Sequence, residues 1–488
     1  MGNMIMGWLR SPGARTELRF AAKIPVADHG GVKASSLPDK EGPLVGQTDV
    51  SFSPVVKNKR IDRWLDRVVE LSGSESVYVA FLVGLLVWAF LGIPYGSTSP
   101  YKIIISDVQA IVNLVFDAFL MRQQFNQHDN LLMVAGTLRS RMQSRKRMIA
   151  QLMSEGRLVL TDATRFSALV RGLDAYQLPK ESRLTRVSSA ASWFLGHIGT
   201  AFGFCCCIVV WLAFGPYCGW SSTWQLYINS ATSALMILLL AFLANVRERH
   251  SRHTAERLGV IWEADVALEI RLRVLTGDHM PNPTVIIPER QRSSVQRAID
   301  YYADLVGTLT GIAILIVVIV AWIACGPALG FKANWWLLIG TYAGLVGLND
   351  GYVLRNICQV LGDHEDEQFA KVTDEDLDTL AMIGVEACNE DGQSGYSFSY
   401  RMSVRVGYFC SHQWTVVAGL VFIVALIAGA SVMRWNETGQ LFCNIPPSIV
   451  ESFLTLILIT GHNVSEEKRR KDTSDIYLRR VQLLAHIR

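Results

Sequence analysis

Charge is scarce in this chain. Only 18% of its 488 residues are Asp, Glu, Lys or Arg, and half are apolar. That is too little charge for a soluble protein of this size and too much for one made only of membrane spans. There is no Gly-Lys dipeptide, which excludes a phosphate-binding P-loop of that type. There is no HExxH, no GxSxG and no paired catalytic aspartate motif, so no enzyme activity, tightly bound cofactor or nucleic-acid partner is expected. The nine cysteines form no C-x-x-C pair. Six of them, Cys205, Cys206, Cys207, Cys325, Cys410 and Cys443, lie in or beside apolar runs and read as small apolar residues. Cys218 and Cys443 fall in turns and could pair. No apolar signal precedes Ser76, and residues 1–60 read as a disordered, Gly/Pro/Ser-rich tail.

What is present is concentrated. Runs such as "GSESVYVAFLVGLLVWAFLG" and "GTLTGIAILIVVIVAWIACG" match a ~30 Å hydrocarbon core at 1.5 Å per helical residue. They also repeat. Gly73 to Gly92, Gly196 to Gly215 and Gly307 to Gly326 each span 19 positions, with Trp88, Trp211 and Trp322 four before the end. Cys410 to Gly429 keeps the spacing, with Ala425 in place of the tryptophan. Each run is followed by a turn and a second apolar run, starting near Ser106, Asn229, Ile339 and Asn444.

The expected fold is therefore all-α and polytopic: eight transmembrane helices arranged as four parallel two-helix hairpins. The hairpins occupy 61–150, 186–275, 295–392 and 393–488, with connectors at 151–185 and 276–294. The tryptophans read as interface anchors. The turns carry only Lys102, Lys332 and Arg434 as basic residues, whereas the other side carries "RSRMQSRKRM", "RERHSRHTAER" and "EEKRRKD". The positive-inside rule places both termini in the cytosol. Asn436-Glu437-Thr438, a glycosylation acceptor pattern, falls on the expected outer side. The acidic stretch "DHEDEQFAKVTDEDLD" reads as a solvated helix face, or else as a weak docking surface for divalent cations.

Polar groups at membrane depth locate the chemistry, because a centrally placed charge costs roughly 2.5–3.5 kcal/mol on insertion scales. Stacking the second helices gives three layers: Ser106, Asn229, Ile339 and Asn444; then Asn113, Met236, Val346 and Glu451; then Asp117, Leu240, Asp350 and Thr455. Steps of seven and four keep the layers on one helix face. Asp117, Asp350 and Glu451 thus share a stripe, with Asp107 near the outer mouth. Carboxylates mixed with amides suit a loosely held divalent cation. Arg122 and Arg355, five residues beyond the two aspartates, could instead form buried pairs with them. Glu451 has no such arginine, and Pro446-Pro447 before it removes two backbone donors. His462 and His412 are further candidate metal ligands, since imidazole suits Fe(II), Zn and Cu.

Several stretches resemble the fungal low-affinity iron permeases: "SPGARTELRFAAKIP", "FLMRQQFNQHDNLLMVAGTLRSRMQSRK" and "CNIPPSIVESFLTLILITGHNVSEEKRR". "STWQLYINSATSALMILLLAFLANVRERHSRHTAERL" is similar to small bacterial members. The resemblance implies a plasma-membrane transporter of Fe(II), admitting Zn and Cu, with the lipid bilayer and divalent metal ions as its partners. It supplies no ligand motif, so the metal candidates are Glu451, Asp117, Asp350, Asn113, Asp107, His462 and His412 on the residues alone. A non-selective cation channel, a membrane sensor or scaffold without flux, and a homo-oligomer are left open.

Overall fold

The computed structural model describes residues 18–25, 60–96, 98–157, 190–331, 333–387 and 398–487. Most of the tail at 1–60 and of the connector at 151–185 lies outside them.

Four long helices form the frame: α3 (Ser99–Ser154), α5 (Ser222–Thr276), α8 (Ala333–Met382) and α12 (Ile445–His486). At 1.5 Å per residue, the 56 residues of α3 extend about 84 Å, far more than a bilayer core. Each helix is apolar over its first part and charged over the rest. One part is therefore suited to lipid and the other to water.

The four pack as a closed ring in the order α3, α5, α12, α8 and back to α3. They run parallel. Along α3 and α8, Asn113 faces Gly347, Gln124 meets Cys358 and Arg139 meets Glu375. Along α5 and α12, Met236 meets Ser452 and His250 meets His462. The order around the ring is not the order along the chain, which the sequence alone did not specify.

Shorter apolar helices surround this ring: α2 (Glu75–Tyr95), α4 (Ile198–Phe214), α7 (Leu309–Cys325) and α10 (Gln413–Val432). No residue of α2 or α7 is buried, although both are apolar all round. Faces such as Val83, Leu86 and Phe90, or Ile316, Val317 and Val320, stand exposed. That pattern has a stable environment only in lipid. Helix α2 lies against α3 and α5, α4 against α12, α10 against α8, and α7 against α3 and α8. Each outer helix thus seats on the ring helix that follows its own around the circle. Among the described residues, six helices are long and apolar enough to cross a membrane, and α6 (Ser294–Gly307) with α7 forms a seventh candidate bent by 66°. Helix α4 is a shorter apolar helix.

The tryptophans do more than anchor. Trp88 stacks on Tyr101, Trp211 on Trp224 and Trp322 on Trp335, at centroid distances of 5.1, 3.9 and 4.3 Å. Each partner stands thirteen residues on, at the start of the next helix. Such a pair adds about 0.5–1.5 kcal/mol beyond its burial. The turns repeat as well. Gly219-Trp220, Gly330-Phe331 and Arg434-Trp435 all have positive φ. The three aromatic N–H groups donate to Gly215, Gly326 and Ala430. Trp220 and Phe331 lie where a Cβ at Gly215 or Gly326 would stand, so those two positions need glycine.

Short helices precede the outer ones on the charged side: α1 (Arg60–Ser72), a stretch over 190–195, α6 and α9 (Phe398–Ser411). The all-α expectation is qualified by a small sheet, in which β1 (Leu18–Phe20) pairs antiparallel with β2 (Val285–Ile287). Ala22 N–H donates to Ser140 Oγ at 3.0 Å, and Phe20 covers Gly136, so this strand clamps α3.

Beyond the apolar part, the ring helices continue as a four-helix bundle. Leu138, Leu258, Val372 and Ile476 form one apolar layer, and Met148, Leu268, Leu380 and Leu483 form another. Between them lies a charged layer. Asp265 meets Arg145 at 2.6 Å and Arg480 at 3.0 Å; Glu269 meets Arg141 at 3.2 Å; Asp376 meets Arg480. Arg141 also lies 4.2 Å over the Trp262 ring. The acidic stretch 363–378 is not a solvated face throughout. Glu365 is buried between His128 and Arg469, and Asp376 is inside the charged layer.

Cys218 and Cys443 are both free thiols. Cys443 is buried and its thiol donates to the Leu426 carbonyl, so the pairing does not form. Asn436 caps the short helix α11 (Glu437–Phe442) through Gly439 N–H.

Candidate ion pathway

Helices α3 and α12 lie on opposite sides of the ring, so contacts between them mark its axis. Asn113 Nδ2 on α3 donates to Glu451 Oε1 on α12 at 2.5 Å. Seven residues earlier, Asn444 Nδ2 stands 3.4 Å from Ser106 Oγ. The seven-residue steps expected from the sequence are therefore real layers. Space for them comes from α8. A Cβ at Gly347 would collide with Asn113 Nδ2 and Glu451 Oε1, and one at Gly340 would stand 2.8 Å from Asn444 Nδ2. In this repeat the layer positions are Gly340 and Gly347, one residue beyond Ile339 and Val346. The shift was visible as the pattern Gly340, Gly344, Gly347 and Gly351 on one helix face.

Asp117, Asp350 and Glu451 lie near enough for their charges to act on one another, without converging on one point. All three are buried, at 3%, 2% and 1% exposure. Neither aspartate pairs with the arginine five residues on. Arg122 binds Asp66 at 2.7 Å and Asp62 at 3.5 Å, both on α1. Arg355 lies over Gly407 and Gly461, on α9 and α12. Asp350 instead accepts a 2.6 Å hydrogen bond from Tyr302 of α6, a residue the repeat register did not single out. Asp107 is buried beside Ser106.

Hydrogen bonding leaves this column incomplete. Asp107 Oδ2, Asn113 Oδ1, Asp117 Oδ2 and Glu451 Oε2 are buried with no partner among the described residues. An orphaned buried acceptor costs its full desolvation, so a row of them is a place for water or a cation. No three His, Cys, Asp or Glu side chains among the described residues converge to hold a metal ion at one point. The arrangement is a series of separate oxygen groups, which favours passage over storage. One turn deeper along their helices stand Met121, Leu243, Leu354 and Leu458, all buried in one apolar cluster.

The two histidines are placed elsewhere. His412 is the N-cap of α10, where its Nδ1 accepts from Trp414 N–H at 3.4 Å, as His197 caps α4 through Gly199 N–H. His462 lies eleven residues beyond Glu451 and pairs with His250, Nε2 to Nδ1, at 2.9 Å.

Fold and site define a helical membrane protein with an acidic column at the centre of a four-helix ring. The low-affinity iron permease family matches the chain twice, at residues 184–264 and 399–478. The chain is 32% identical to the "Low-affinity Fe(2+) transport protein" of Saccharomyces cerevisiae, over 87% of this chain and 83% of that protein. It is 35% identical to the "Low-affinity iron/zinc ion transport protein fet4" of Schizosaccharomyces pombe, over 88% and 74%. The chain belongs to the low-affinity iron permease family. No solved structure matches it.

Proposed function

We propose that this chain carries out low-affinity transport of ferrous iron, and of zinc, across the plasma membrane into the cytosol. The relatives' names support the substrates. The observation that carries the mechanism is the row of Asp117, Asp350 and Glu451, three buried acids for which no basic partner is seen among the described residues. The four hairpins act as parallel repeats giving eight spans, with Ile198–Phe214 and Leu309–Cys325 the shortest at 17 residues each, and the charged bundle is cytosolic by the positive-inside rule. The stacked aromatic pairs and the repeated turns support that architecture.

A divalent ion entering from the turn side meets Asp107 and Ser106, then Asn113 and Glu451, then Asp117 and Asp350. Oxygen ligands replace part of its hydration shell. Because no one point gathers a full ligand set, the ion is bound weakly and released, in keeping with low affinity. Met236 adds a thioether to the Glu451 layer, 3.8 Å from the Ser452 and Thr455 hydroxyls; sulfur favours transition metals over Mg²⁺ and Ca²⁺. A doubly charged ion falling through 100 mV gains about 4.6 kcal/mol, so inward movement requires no nucleotide.

The test is uptake of radioactive iron by metal-starved cells expressing the wild type or Glu451→Gln, with surface protein quantified. Uptake per molecule falls at least about tenfold if the acid holds the ion, as loss of a charged partner predicts. Unchanged uptake would remove the acid from the path.

A further inference from the structure

We propose that Ser106, Asn229, Asn444 and Ser448 form a second cation station of hydroxyls and amides on the ring axis, beside Asp107 and nearer the turn side than Asp117, Asp350 and Glu451. The proposal rests on the transport reading above and adds a site to it. Seven helical residues separate Ser106 from Asn113, and Asn444 from Glu451, so the stations lie about 10 Å apart.

Four observations converge. Ser106 and Asn444 come from opposite ring helices and meet at 3.4 Å, which puts them on the axis. Gly340 on the third helix contributes no side chain there, and a Cβ would crowd the Asn444 amide. Asn229, at the same register of the fourth helix, is 0% exposed, and neither amide atom has a partner among the described residues. Ser448 Oγ, one turn below Asn444, is 1% exposed and likewise unpartnered. A dry, packed seam would leave the Asn229 amide and the Ser448 hydroxyl desolvated for no return.

Hydroxyl and amide oxygens suit a hard or borderline divalent cation that keeps part of its water. With Asp107 as the one carboxylate beside it, the station binds weakly. It takes the ion from solution, strips part of its hydration and passes it to Glu451. With two ions present, repulsion between the stations helps the inner one leave. Asn229 then sets how readily the ion enters, while the acids set how it moves on.

The experiment is concentration-dependent uptake of radioactive Fe(II), with rates normalised to surface protein. Asn229→Ala and Ser448→Ala should raise the apparent KM about tenfold, the effect of removing one polar partner from a charged group, with maximal rate within about twofold. Asn229→Asp should lower both KM and maximal rate, a gain in affinity that a misfolded protein cannot produce. An unchanged KM in both Asn229 variants would mean that water alone fills this layer, and would overturn the proposal. Glu451→Gln, run in parallel, separates the two claims: full uptake there would sink the carboxylate pathway, whereas the Asn229 shift reports on the outer station alone.

Discussion

The same four helices bury acids in two regions and treat them oppositely. In the bundle, Asp265, Glu269, Asp376 and Glu365 each meet at least one arginine, and Glu365 also meets His128. In the apolar part, Asp107, Asp117, Asp350 and Glu451 meet no basic group among the described residues; Glu451 meets an amide and Asp350 a tyrosine hydroxyl. Burying a charge is costly in both places. In the bundle the cost is offset by permanent partners, which makes those acids structural. At the ring axis the partner is missing, and a passing cation can supply it. Burial alone therefore does not single out the acids of the proposed pathway; burial without a fixed counter-charge sets them apart.

The sharpest break of this contrast is in the bundle. Arg480→Met would take the close partner from Asp376 and leave Asp265 with only Arg145 and Arg141, and breaking such a buried pair costs about 3–5 kcal/mol. Thermal unfolding of the purified protein should shift down strongly, while the molecules that reach the surface keep normal uptake. Gly347→Ala comes next. Its methyl group would occupy the space between Asn113 and Glu451, so uptake should fall at least about tenfold, with a stability loss of about 1–3 kcal/mol from overpacking. Asp350→Asn should reduce uptake by a smaller factor and leave stability equal or higher, because an unpaired buried charge is removed. Tyr302→Phe, which deletes only the hydrogen bond to Asp350, should cost about 0.5–1.5 kcal/mol and change uptake less than Asp350→Asn does. Trp322→Ala removes a stacked pair far from the acids. It should lower the unfolding temperature through about 0.5–1.5 kcal/mol of lost stacking, beyond lost burial, without altering metal preference.

Much of the membrane half was legible in the sequence, because lipid imposes strict lengths and leaves few polar residues to interpret. The nineteen-residue interval pointed to the outer helices, and seven-residue steps brought Asn113 to Glu451 and Ser106 to Asn444. The register failed by one residue on α8, where the informative residues are glycines with no side chain to attract notice. His412 read as a ligand because imidazole chemistry is versatile, but its place at a helix start makes it a cap. The partners of Arg122 and Arg355 could not be read at all. Which helix lies beside which depends on the ring order, and that is set by packing between distant repeats. The aromatic partners at thirteen residues were readable in principle. A repeat search anchored on the first tryptophan simply stops before reaching them.

The measurement closest to the central claim is radioactive Fe(II) uptake by a chain carrying Asp117→Asn, Asp350→Asn and Glu451→Gln together, at matched surface abundance. An unpartnered acid column that carries the ion predicts uptake indistinguishable from cells lacking the protein, with the fold at least as stable as the wild type. Uptake at the wild-type rate from that triple variant would contradict it.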